Sequence, residues 1–253
     1  MDRNVNVMSG AICVGKSRLV KELLKLPEFR DAATVTLDQV GIRHWGRRIM
    51  TKTEKVYRNE LARNEVKEQL IVNWAEHVLV DMPMLTRANH QKPFVEMIGD
   101  AERYLRLIDP ERDALEGKKI TTNRPFVYLN VVLLYCDFET VKRRITVRGL
   151  EAEKSDSPAV SMEAVLDVAV QFELPKDYVP LPIDTSDESE SAEELRMREI
   201  RGFLLERKFP TSSVFRERMA QARACRDELK EEARRRGMMS GAAFIRSDYT
   251  SRR

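Results

Sequence analysis

Apolar residues fall along this chain in two alternating rhythms. Short continuous runs, Val5-Asn6-Val7-Met8, Ala33 to Leu37, His77 to Val80 and Val127 to Tyr135, have the length and β-branched content of strands. A further run, Val179 to Thr185, is shorter. Between them apolar positions recur at helical intervals. Leu19, Val20, Leu23 and Leu24 form one such set, and Val56, Leu61, Val66, Leu70 and Trp74 mark a polar helix over about 52–76. Residues 87–107, 138–148 and 161–172 also read as helices. Strand and helix alternate, and the strands are continuous runs, as in a parallel sheet buried on both faces by crossover helices. Residues 109–126 read as a polar loop, 150–158 as a mobile segment, and 186–194 as an acidic loop leading into a helix.

Composition narrows the function classes. No run approaches the ~18 apolar residues of a membrane helix, and the N-terminal residues lack a signal-peptide pattern. Three widely spaced cysteines, Cys13, Cys136 and Cys225, argue against a disulfide framework and for a reducing, cytoplasmic setting. No histidine stands in metal-ligand spacing with a cysteine, which disfavours a zinc enzyme. The net charge is +3, but residues 1–209 sum to −2 and residues 210–253 to +5. The chain therefore divides into a body over 1–209 and a basic helix and tail over 210–253. In the second part Phe215, Met219, Ala222, Cys225, Leu229 and Ala233 make one narrow apolar stripe, and Gly237 ends the helix. Docking of that stripe on the body is the first expectation, a partner or oligomer contact the second, and a nucleic-acid surface the third. Too few aromatics accompany the basic residues for single-strand stacking. The oligomeric state is left open.

The chemistry sits at Gly10-Ala11-Ile12-Cys13-Val14-Gly15-Lys16-Ser17, which fits G-x-x-x-x-G-K-[ST] throughout. A strand precedes it and an amphipathic helix follows. Glycines let successive N–H groups turn inward toward phosphate oxygens, and the helix start adds its positive end. Lys16 suits the β- and γ-phosphates, and the Ser17 hydroxyl suits Mg²⁺. Residues Gly10 to Arg18 are thus the expected ATP-binding run. Ligands of such sheets bind beyond the carboxyl ends of the strands. Two acids, Asp38 and Asp81, and the cations Arg43, Arg87, Lys142, Arg143, Arg144 and Arg148 are expected at that edge. His44 and Trp45 are candidates for lining an acceptor pocket.

In order and spacing these pieces resemble the small P-loop kinases of the zeta-toxin and polynucleotide-kinase type. The resemblance spans about residues 4–208. It rests on the phosphate loop, Asp38…Arg43, Val80-Asp81-Met82-Pro83-Met84-Leu85-Thr86-Arg87, the arginine-bearing helix with Arg144 and Arg148, and Phe172-Glu173-Leu174-Pro175 ahead of Ile183-Asp184-Thr185. It departs in the inserted segment 109–126 and in His90, where several relatives carry Arg. The resemblance implies a three-layer α/β/α P-loop kinase fold with a parallel sheet, a lid helix and an added C-terminal helix. It further implies transfer of the γ-phosphoryl of ATP, with Mg²⁺, to a hydroxyl or phosphate acceptor. Asp38 would be the general base, Arg43 and Arg87 acceptor contacts, Ser17 and Asp81 the metal side, and Lys16, Arg144 and Arg148 the groups on the transferring phosphoryl. The first acceptor class is a small molecule such as a nucleoside, nucleotide or sugar derivative. The alternatives are a polynucleotide 5′-hydroxyl, with nucleic acid not favoured, and an NTP-binding regulatory or toxin-like partner protein.

Overall fold

The computed structural model describes residues 2–46, 51–82, 88–115, 126–152, 160–174 and 178–238. Five strands, β1 (Arg3–Gly10), β2 (Ala33–Thr36), β3 (His77–Asp81), β4 (Val127–Tyr135) and β5 (Leu181–Asp184), form one all-parallel sheet in the order β2-β3-β1-β4-β5. Every carboxyl end therefore lies on one edge. Met8 pairs with Asp81, Thr36 with Asp81, and Gly10 with Leu134, so the phosphate loop and both acids leave the sheet side by side.

Both faces of the sheet are covered, which is why its strands read as unbroken apolar runs. One face buries Val5, Val7, Val35, Val78, Val80 and Val131 against α3 (Lys52–Ile71) and α4 (Ala88–Leu115), through Val66, Leu70, Phe94 and Leu105. Met8, Leu79, Val132 and Leu134 pack on α1 (Lys16–Leu23), α6 (Met162–Val170) and α7 (Glu190–Glu206). Two shorter helical segments flank β2, a 3₁₀ turn at Pro27–Phe29 and α2 (Leu37–Trp45). The helix after β4 is α5 (Phe138–Ala152).

The last helix, α8 (Ser212–Arg235), lies against the same body. Leu229 and Ala233 belong to the main core, while Ala222 packs with Leu133, Tyr135 and Phe172. Its arginines are largely matched by nearby acids. Arg218 bonds Glu199, Arg226 bonds Asp227, Arg234 bonds Glu231, and Arg235 and Arg236 bond Glu232. The stripe faces inward, and most of the helix's arginines are paired with acids of α8 or α7.

Several boundaries differ from the sequence expectation. The run after β2 is a full helix, α2, because the Thr36 hydroxyl accepts the Gln39 N–H at 3.2 Å and caps it. Residues 190–194, expected as loop, already belong to α7, with Ser189 as the capping residue. The expected loop from 109 is helical to Leu115 as the end of α4, and 116–125 lie outside the described residues. Helix α5 runs on to Ala152, and most of the segment expected to be mobile, 153–159, is likewise outside them. Among the described residues no helix is long and apolar enough to cross a membrane.

Candidate active site

The loop between β1 and α1 has the backbone its chemistry requires. Gly10 has φ 139°, and a Cβ there would stand 2.3 Å from the Leu134 carbonyl oxygen, so only glycine fits beside β4. Gly15, at φ 94°, opens α1 in the left-handed region. Cys13 is also left-handed, φ 68°, without a glycine's freedom.

The Lys16 ammonium is buried and folds back over the loop, donating to the carbonyls of Ala11 at 2.6 Å and Gly10 at 3.2 Å. Burial lowers its pKa, opposed by the nearby Asp81 carboxylate. Ser17 donates its hydroxyl to Asp81 at the end of β3. A hydroxyl and a carboxylate meeting at a phosphate loop are hard oxygen donors, the type that Mg²⁺ takes.

The lid helix supplies two different arginines. Arg148 is exposed, and its positive charge acts on the Cys13 thiol. Burial pushes that thiol up, while Arg148, Lys16 and Arg144 pull the other way. Arg144 is turned inward and fully engaged. It donates to the Cys13 carbonyl at 3.1 Å, the Thr185 hydroxyl at 3.1 Å, the Thr185 carbonyl at 2.5 Å and Glu188 at 2.8 Å. These bonds tie Arg144, expected to cover the transferring phosphoryl, to the loop and to the segment after β5. Arg143 shares Glu188 at 2.8 Å.

Asp38 is exposed in the first turn of α2, two residues beyond Thr36, the register partner of Asp81. Since Thr36 does the capping, Asp38 is released from that duty. Ile42, 41% exposed, and Trp45 follow Asp38 at i+4 and i+7 on the same helix face. The rings of His44 and Trp45 lie 5.8 Å apart. Arg43 pairs with Glu65 of α3, and Arg18 with Glu193 of α7. Arg87 lies outside the described residues. At His90 the resemblance lapses, but the next residue, Gln91, is buried and donates to the Glu173 carbonyl at 3.2 Å, tying α4 to the Phe-Glu-x-Pro turn.

Two residues at this edge escaped the sequence reading: Thr185 and Glu188. Thr185 Oγ lies 3.1 Å from the carbonyl oxygens of both Val14 and Tyr135. Together with Gly15, Arg18, Arg144, Glu193 and Met197, these two line a cleft beside the loop. Thr185 belongs to the phrase Ile183-Asp184-Thr185 that carries part of the resemblance, but its partners 41 to 171 residues away are set by the fold alone.

Neither a protein-family model nor a curated protein sequence matches the chain. Solved structures do. A candidate kinase from Chloroflexus aurantiacus superposes with TM-score 0.53 at 10% identity, covering 79% of this chain and 98% of its own. Chaetomium thermophilum Kti12 in complex with ADP-AlF3 gives 0.50 at 13% identity, covering 79% and 98%. The parallel five-stranded sheet with its flanking helices is the α/β P-loop kinase fold.

Proposed function

We propose that this protein is an ATP- and Mg²⁺-dependent phosphotransferase acting on a small-molecule hydroxyl or phosphate. The observation that carries the reading is the convergence of Lys16, Ser17 and Asp81 on a loop whose first glycine cannot be replaced. In the free protein Lys16 is satisfied by loop carbonyls. Triphosphate oxygens would offer it stronger, charge-assisted bonds, so it would exchange those partners for the β- and γ-phosphates. Ser17 and Asp81 would hold Mg²⁺, which supplies neutralising charge to the phosphates. Phosphoryl transfer asks mainly for positioning and charge balance. Arg148, exposed on α5 and close enough for its charge to act on Cys13 of the loop, is suited to the transferring group.

Asp38 would take the acceptor proton. From it the acceptor would extend along Ile42 and Trp45, so the face offered beyond the reacting hydroxyl is apolar and aromatic. That favours a ring-bearing molecule such as a nucleoside over a bare polyol. Arg43 and Arg87 remain the proposed acceptor cations, Arg43 through a guanidinium shared with Glu65. The polynucleotide reading is disfavoured by the acid-matched arginines of α8.

Calorimetric titration with Mg·ATP tests the reading. Wild-type protein is expected to bind with micromolar to submillimolar affinity, and a folded Lys16→Ala variant at least tenfold more weakly. Equal binding by the two would remove Lys16 from the site.

A further inference from the structure

We infer that Arg144 and Thr185 are positioning residues that hold the phosphate loop in its binding form before nucleotide arrives. The inference rests on the nucleotide-binding reading above and concerns how the loop is preset. Cys13 is the loop's non-glycine residue at positive φ, 68°. A side chain resists that conformation, and such residues persist only where surrounding contacts over-determine them. Those contacts are present. The carbonyl of Cys13 accepts from Arg144 at 3.1 Å, and the next carbonyl, Val14, stands 3.1 Å from the Thr185 hydroxyl. The two clamp residues bond each other, hydroxyl to guanidinium at 3.1 Å and carbonyl to guanidinium at 2.5 Å. Glu188, accepting from the Arg144 Nε at 2.8 Å, fixes the guanidinium plane.

The clamp joins three elements: α5 supplies Arg144, the segment after β5 supplies Thr185 and Glu188, and the loop supplies its carbonyls. With those carbonyls held outward, the N–H groups of the same turn are aimed inward at the anion site. Binding then spends no affinity on ordering the loop, the general benefit of preorganisation. Arg144 thereby acts through the loop and not on the phosphoryl group, a role left to Arg148.

Cys13 provides a test that a merely stabilising contact would fail. Binding of a fluorescent ATP analogue with Mg²⁺ would be measured for wild type, Arg144→Ala, Cys13→Gly, Cys13→Ala and the two double variants, with thermal midpoints alongside. Arg144→Ala should weaken binding about tenfold and lower the midpoint. Adding Cys13→Gly, which removes the penalty at positive φ, should restore most of the affinity while the midpoint stays low. Adding Cys13→Ala, which removes the thiol and keeps the Cβ, should restore none. Should Arg144→Ala fail to fold, Thr185→Val replaces it, with a smaller loss and the same pattern of rescue. Wild-type affinity in Arg144→Ala, or effects of Cys13→Gly and Arg144→Ala that simply add, would overturn the clamp. A wild-type protein that does not bind the analogue at all would instead overturn the nucleotide-binding reading.

Discussion

At the scale of single residues, the duties proposed for Asp38 and Asp81 are separable. Asp38→Asn keeps the shape of the side chain and removes its proton acceptor. Nucleotide affinity should be unchanged and transfer to an acceptor should fall about 10²–10⁴-fold, the usual span for a general base. A loss of ATP affinity with turnover retained at saturating ATP would assign Asp38 a different task. Asp81→Asn should raise the Mg²⁺ concentration needed for half-maximal activity, since an amide holds a hard cation less well than a carboxylate. The thiols make a pH prediction. Burial pushes Cys136 up to about 12 and Cys225 up to about 11, against an unperturbed value of about 8.5. A raised folded-state pKa means the stabilisation is present below the unfolded value and is lost as pH rises through the folded one. Urea midpoints should therefore fall between about pH 8.5 and 11, and a Cys136→Ala, Cys225→Ala double variant should flatten that decline.

At the scale of elements, α8 stands out because its basic composition suggests a binding surface while its packing describes a structural one. Leu229 is 5% exposed in the main core. Leu229→Ala should lower unfolding free energy by about 2–4 kcal/mol, the range for buried leucine truncations, with ATP affinity within twofold of wild type. Denaturant titration and analogue binding on the same sample check both halves. Removing residues 210–253 should leave an unstable body, whereas removing 239–253 should leave activity intact. The elements also show what sequence can carry. Local rules revealed the loop and its helix, the strand runs and the stripe of α8, because glycine geometry and hydrophobic period are written in neighbouring residues. Helix α2 was hidden, since Thr36 lies inside a β-branched strand run and its capping role appears only when the chain turns. The clamp was hidden for a different reason: Arg144, Cys13 and Thr185 meet only through tertiary folding, and arginines at i and i+4 on one helix look alike until one is seen half-buried and the other exposed.

At the scale of the molecule, one sheet order sets everything the site needs. With β1 between β3 and β4, the phosphate loop emerges between Asp81 and the lid helix that follows β4. With β2 beyond β3, Asp38 stands on the far side of Asp81 from the lid. In the proposed reading nucleotide and acceptor would take opposite halves of a single edge, with the Asp81 carboxylate between them. The charge distribution agrees with a small acceptor. The excess of positive charge lies in residues 210–253, and within α8 four of its arginines are paired with acids of the same helix or of α7.

The claim that binds these scales together is that the site moves a phosphoryl group and does not only hold a nucleotide. Incubation with ATP labelled at the γ-phosphate, Mg²⁺ and a panel of nucleosides, aryl alcohols and polyols measures this directly. The account predicts that label leaves ATP for a ring-bearing acceptor in wild type, and that Lys16→Ala and Asp38→Asn each abolish or sharply reduce that transfer. Label that stays in ATP, or appears solely as inorganic phosphate with every acceptor while the wild type binds ATP, would contradict it.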